Sequence, residues 1–241
     1  MTEAFIIGEE KGKLANLRYK VAVIEILRFL KQFYSYKELS SITGVNDTAL
    51  CRYIKGAMLP SIEQAKTIWK NISAKVNIIE YILKRSGQER LDLMNILSEP
   101  IVLRVLASKL YLDLTGRRVT LIVTRNSPII GLATALSLII DKPIIVVSDE
   151  RPLTSDYIVE KVIEQPDIIR VFFIPKRHVR RREDAIVIWD VARNPEEVRT
   201  LVLGLSKVKI DVRLFVSLIS LFHEEELKDL VDYKYFMLVK T

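Results

Sequence analysis

Residues 185–205, AIVIWDVARNPEEVRTLVLGL, decide how the chain folds. A β-branched apolar run reaches Trp189, a single acid follows at Asp190, and Val198, Leu201, Val202 and Leu205 then recur at helical spacing. Strand, turn and helix in that order form the unit of a parallel α/β sheet, whose ligands gather where strands end and helices begin. The turn carries its own helix-start signals: Asn194 can cap, Pro195 fits the first helical position, and Glu196 and Glu197 suit the first turn.

Working outward, residues 119–123, 130–140 and 143–147 repeat the strand-helix-strand cadence, and 212–218 and 235–239 supply further strands. The segments 171–174 and 184–188 bracket a basic run, 176–182, that includes His178. That run reads as a solvated hairpin tip or as a contact for DNA or a nucleotide phosphate. An acidic-basic helix is predicted over 224–231.

The first third has a different texture. Helical periodicity starts at Tyr19 and ends near Phe33, and residues 36–55, YKELSSITGVNDTALCRYIK, follow with a distinct pattern. Leu39 and Ile42 face inward from a first helix, Gly44 takes a left-handed turn, and Val45, Leu50 and Ile54 pack a second helix back. Asn46 or Asp47 caps that second helix. An apolar helix through Ala65, Ile68, Trp69 and Ile72 comes next and is expected to continue over 73–87. Two helices split by Pro100 then cover 89–97 and 101–114, and either shield the sheet or form a dimer seam.

Two resemblances follow from these stretches. Residues 36–61 resemble a repressor-like helix-turn-helix. Residues 185–205 resemble the phosphoribosyl pyrophosphate (PRPP) motif of type I phosphoribosyltransferases, and 117–147 resemble that family's first β-α-β unit, with 124–150, TRNSPIIGLATALSLIIDKPIIVVSDE, in the same cadence and GLATALSL closest to the orotate branch. The fold expected is α/β: an N-terminal all-α helix-turn-helix domain, 1–73, a helical connector or dimerisation region, 74–116, and a phosphoribosyltransferase-like parallel-sheet domain, 117–241. The family's mobile hood would lie over 148–170.

The PRPP motif is edited. The resemblance implies two adjacent acids that hold ribose hydroxyls and Mg²⁺, then a Thr/Gly loop around the 5′-phosphate. Trp189 stands in place of the first acid and Asp190 in place of the second. Pro195 offers no N–H, and Glu196 and Glu197 place negative charge where the phosphate would sit. The expectation is therefore an inactive domain without catalytic residues, metal or cofactor. Arg125, Asn126, Asp190, Arg193 and Asn194 are left as ligand-binding candidates for a nucleotide or PRPP-like effector. Arg125 and Asn126 occupy the pyrophosphate-loop position, where Pro128 and the loss of glycine leave both an anion grip and a plain turn open.

The layout resembles archaeal regulators, so the function expected is a dimeric, sequence-specific DNA-binding transcriptional regulator. Thr48 and Arg52 would read bases and Lys37 and Lys55 meet the backbone, with Asp47 and Cys51 on the same face. The alternative is an active phosphoribosyltransferase, orotate or purine type, with an N-terminal DNA-binding head. The net charge of +7 favours an anionic partner such as double-stranded DNA. The composition, rich in Ile, Val, Leu, Lys, Arg and Glu, leans towards a thermophile. The single Cys51 rules out an intrachain disulfide. With neither a spanning run nor a signal-peptide layout, a cytoplasmic homodimer is expected.

Overall fold

The computed structural model describes residues 12–86, 92–153, 156–165, 168–176 and 182–238. The chain divides into two compact units, 1–117 and 118–241.

All seven elements described in unit 1 are helices: α1 (Lys13–Leu30), α2 (Tyr36–Thr43), α3 (Asp47–Ile54), α4 (Ile62–Lys75), α5 (Ile78–Ser86), α6 (Leu93–Ser98) and α7 (Pro100–Asp113). Long α1 packs along α7, α4 and α3. Its buried Val23, Ile26, Leu27 and Leu30 share the interior with Leu39, Leu50, Ile68 and Ile72.

Local chemistry sets the helix boundaries. Ser35 and Glu38 close a capping box on α2, and Ser61 and Gln64 close another on α4, each satisfying two backbone donors. Gly44 ends α2 at φ 75°, a conformation that costs glycine little, and Asn46 accepts from the Ala49 N–H at 2.8 Å to start α3. The last carbonyls of α2 are taken up by α4: Asn71 Nδ2 donates to Thr43 O at 2.9 Å, and Lys75 Nζ to Ser41 O and Ile42 O at 3.3 and 3.2 Å.

Three sequence expectations shift here. The first helix begins at Lys13 rather than Tyr19. The fully covered residue at the end of α3 is Tyr53, whose hydroxyl donates to Gln64 at 2.9 Å, while Ile54 is half-buried. The helix expected to run unbroken through 73–87 stops at Lys75, because Val76 turns extended and the Asn77 side chain accepts the Ile79 N–H at 3.2 Å to open α5.

In unit 2 a five-stranded sheet holds β1 (Leu121–Arg125), β2 (Ile144–Val147), β5 (Glu183–Ala192), β6 (Ile210–Ser220) and β7 (Tyr233–Leu238). The spatial order is β2-β1-β5-β6-β7, with every neighbouring pair parallel. Helix α8 (Ile130–Ile140) follows β1, and α9 (Pro195–Lys207) follows β5. Between β2 and β5 comes an antiparallel hairpin, β3 (Tyr157–Gln165) and β4 (Ile168–Pro175). One buried row crosses the sheet through Ile145, Val123, Val187, Phe215 and Tyr233.

The hairpin is not where the basic run placed it. The run lies in sequence between β4, which pairs with β3, and β5 of the main sheet; its residues 177–181, His178 among them, lie outside the described residues. The helix expected over 224–231 is a 3-10 turn at Glu224–Leu227.

Two contacts fix the hairpin over the main sheet. Ser148, just past β2, exchanges both backbone hydrogen bonds with Phe173 of β4, at 3.2 and 2.8 Å. Gly204 of α9 lies so close beneath the hairpin that an added Cβ would stand 2.6 Å from Glu160 Cγ and 2.7 Å from Ile174 Cδ1.

Candidate functional site

The chain leaves β1 towards β2 on one side and leaves β5 towards β6 on the other, so the sheet's direction of winding reverses between β1 and β5. A crevice opens outside the carboxyl ends of strands at such a point. Arg125, the last residue of β1, and Asp190, near the end of β5, meet there with Arg125 Nη1 3.4 Å from Asp190 Oδ1.

Arg125 is the centre of the cluster. The residue is only 8 % exposed, and its guanidinium lies 5.1 Å from the Trp189 ring centroid. It pairs with Asp149, which follows β2, and stands 4.0 Å from Glu197 of α9. Arg170, carried in on β4 by the anchored hairpin, stands 4.0 Å from Asp149 and 3.9 Å from Glu197. Two guanidiniums thus sit between a largely exposed carboxylate and a buried one. Arg125 Nε and Ser127 Oγ are buried without a hydrogen-bond partner among the described residues. Each such orphaned polar atom costs about 1–3 kcal/mol unless a ligand or water satisfies it.

Asn194 and Glu197 close the second turn on itself. Asn194 Oδ1 accepts the Glu197 N–H at 2.8 Å, while Glu197 accepts the Arg193 N–H at 3.0 Å and the Trp189 indole N–H at 3.3 Å. Loss of solvent holds the Glu197 carboxyl above its ordinary range, and the Arg193 N–H, Arg170, Trp189 and Arg125 oppose that shift only in part. Asn126 and Arg193 are exposed at the mouth of the crevice and Asn194 is half-buried. Among the described residues no group of three or more His, Cys, Asp or Glu side chains is arranged to hold a metal ion.

Sequence reasoning brought Arg125, Asp190 and Asn194 to this place and missed Asp149, Arg170 and the inward turn of Glu197. One signal for Glu197 was available: it precedes Leu201 and Leu205 by one and two helical repeats, on the face that α9 buries.

The residues expected to meet DNA lie in unit 1. Lys37, Thr48, Arg52 and Lys55 are exposed, whereas Asp47 and Cys51 are half-buried. The Cys51 thiol is engaged with the Tyr36 hydroxyl, whose pKa that hydrogen bond raises. The carbonyl of Ile54, at the end of α3, accepts from Arg28 Nε at 2.9 Å.

No family model matches the sequence, and no curated protein matches it by sequence. Solved structures share its fold. Adenine phosphoribosyltransferase from Thermoanaerobacter pseudethanolicus superposes with a TM-score of 0.55 at 15 % identity, covering 64 % of this chain and 90 % of its own. The enzyme from Rhodothermus marinus gives 0.53 at 16 %, covering 64 % and 88 %. That from Giardia lamblia, complexed with 9-deazaadenine, gives 0.54 at 11 %, covering 62 % and 86 %. The chain therefore has a mixed α/β architecture with the parallel sheet of the type I phosphoribosyltransferase fold.

These findings correct the functional expectation. A DNA-binding transcriptional regulator with an inactive domain is not what the fold comparison supports: the structures named here are adenine phosphoribosyltransferases, and neither DNA binding, transcription regulation nor an archaeal source finds support in them. The physical case for inactivity also weakens. It required Glu196 and Glu197 to present two charges to a phosphate, but Glu196 points to solvent and Glu197 turns inward to face two arginines. The fold shared with these structures is the one on which the alternative reading, a phosphoribosyltransferase, is based.

Among the described residues no helix is long and apolar enough to cross a membrane.

Proposed function

We propose that the chain is a phosphoribosyltransferase that joins a phosphoribosyl group to a purine-type base. The C1–O bond to diphosphate breaks, a C1–N bond to the base forms as that nitrogen releases its proton to solvent, and diphosphate leaves with the bonding electrons. The observation that carries this reading is the buried Arg125 at the winding reversal of the sheet, with Arg170 beside it and with Arg125 Nε and Ser127 Oγ unsatisfied among the described residues. Guanidiniums suit phosphoryl oxygens because the planar fork donates two parallel hydrogen bonds. Asp190 offers its carboxylate to the ribose hydroxyls, and Asn126 and Arg193, exposed at the mouth, meet the outer part of the substrate.

Incubation of the full chain with PRPP, Mg²⁺ and, in turn, adenine, hypoxanthine, guanine and orotate tests this. The cation is supplied because it binds through phosphate oxygens as much as through protein. The expected outcome is a nucleoside monophosphate and diphosphate in equal amounts, fastest with a purine. Absence of product from every base, with the protein folded, overturns the reading.

The α2–Gly44–α3 pair supports a helix-turn-helix reading of this enzyme's head, with double-stranded DNA as partner and Thr48, Arg52, Lys37 and Lys55 on the facing side; a second copy of the chain completes a two-fold assembly. If Lys55 meets a phosphate, Lys55→Ala flattens the salt dependence of binding to duplex DNA by about one counterion. An unchanged slope removes Lys55 from the contact, and no binding to any duplex removes DNA as a partner.

A further inference from the structure

The geometry points to a crevice that takes its phosphorylated ligand without a divalent cation: the Arg125 guanidinium is the resident positive charge, seated beside Asp190 where the fold family's two acids would bring Mg²⁺. The inference rests on the proposed function only in naming a phosphorylated ligand.

The donor set carries the argument. Mg²⁺ demands a near-octahedral set of oxygens at about 2.0–2.1 Å, with one or two carboxylates among them. Trp189 stands in place of the first acid, and an indole N–H is a donor with nothing to give a metal. That N–H is spent on Glu197 at 3.3 Å, and the ring centroid lies 5.1 Å from the Arg125 guanidinium. The aromatic therefore holds a cation by its face, and the cation it holds belongs to the chain.

The carboxylates nearby are already committed. Glu197 Oε1 accepts the Trp189 indole N–H and Oε2 the Arg193 N–H. Asp190 Oδ1 accepts the Val191 N–H at 2.8 Å and faces Arg125 Nη1 at 3.4 Å. Asp149 pairs with Arg125 Nη2, and Arg170 brings a second positive charge within 4.0 Å of it. A dication entering this cluster is repelled by both guanidiniums. The residues present thus do not fit Mg²⁺. They fit a guanidinium, which supplies positive charge and paired N–H donors to phosphoryl oxygens without a metal.

Calorimetric titration of the full chain with inorganic diphosphate, once with EDTA and once with excess Mg²⁺, tests this. A cation shared by protein and anion couples their binding by about fivefold or more. The expected affinity in EDTA equals or exceeds that in Mg²⁺, because the metal draws diphosphate into a complex the crevice does not need. Binding that Mg²⁺ tightens by about fivefold or more, or no binding in EDTA, overturns the proposal.

Two variants assign the binding to this place. Arg125→Gln is expected to weaken diphosphate about tenfold or more in EDTA, and unchanged binding overturns the proposal by putting the anion elsewhere. Asp190→Asn removes a charge that opposes Arg125, so with Mg²⁺ present it is expected to bind diphosphate at least as tightly as the native chain. Loss of a metal ligand would instead weaken binding about tenfold or more, an outcome that overturns the proposal even if Arg125→Gln fails to fold. The turnover assay, repeated in EDTA, separates the two readings. Diphosphate binding as expected, with no product from any base, removes phosphoribosyl transfer and leaves this inference standing. Product that forms only with Mg²⁺, together with diphosphate binding that Mg²⁺ tightens, does the reverse.

Discussion

Two strand-to-helix turns meet at the winding reversal of the sheet, and they are finished in opposite ways. The turn from β1 to α8 has no side-chain cap, since Ile129 stands at the cap position, and among the described residues it leaves Arg125 Nε and Ser127 Oγ unpaired. The turn from β5 to α9 satisfies itself: Asn194 caps, Pro195 has no N–H to lose, and Glu197 takes the Arg193 N–H. The first has donors to offer a ligand, and the second has spent them on its own backbone. An anion in this crevice therefore belongs with the first turn.

The largest effect that would test this difference is on binding. Arg125→Gln is expected to weaken sulfate and PRPP binding roughly 10–100-fold, as loss of charged hydrogen bonds worth about 1.5–3 kcal/mol implies. Arg125→Lys, which keeps the charge beside three acids and so protects the fold, should recover only part of that loss. Arg193→Gln, on the exposed rim of the second turn, is expected to change binding less than about threefold, in keeping with the small worth of exposed charges. Comparable losses at Arg125 and Arg193 would erase the distinction.

The smaller effect is on stability and runs the other way. Asn194→Ala removes a cap and should cost about 1 kcal/mol, read as a lower Tm for unit 2. Ser127→Ala removes a buried hydroxyl that finds no partner among the described residues, and should leave stability unchanged or raise it by up to about 1–3 kcal/mol, read as an equal or higher Tm. If Ser127→Ala cost as much as Asn194→Ala, the first turn would be as self-contained as the second.

Glu197 gives the comparison a pH dependence. Its folded pKa is raised, so the contribution of its burial to stability is fully present below the carboxyl's unfolded value and is lost as pH rises through the folded value. Glu197→Gln should thus melt higher than the native chain at pH 8, and the gap should close towards pH 4.5. A lower melting point at pH 8 would mean that the arginines stabilise the ionised carboxylate more than burial opposes it.

How far the sequence reveals these features depends on how local they are. Asn194-Pro195 and Gly44 could be read directly, because capping, a missing N–H and a left-handed turn are decided within a few residues. The break at Val76-Asn77 has no Gly or Pro to mark it and rests on an Asn side chain that begins a new helix. The charged crevice was least legible, since Arg125, Asp149, Arg170 and Glu197 come from four separate segments. The pairing of Ser148 with Phe173 and the packing of Gly204 against the hairpin bring Arg170 across. A first-turn acid normally points to solvent, and Glu197 turned inward because its position on α9 shares the apolar face and faces Arg125 from β1 and Arg170 from the hairpin.

The seating of Trp189 has a practical consequence. The chain contains two tryptophans, Trp69 on the helices of unit 1 and Trp189 at the floor of the crevice. Trp189 lies under a guanidinium and donates its indole N–H to Glu197, so its emission should shift whenever that carboxylate changes charge or a visitor draws Arg125 away. Replacing Trp69 with phenylalanine would leave a native optical reporter inside the crevice, readable without any label.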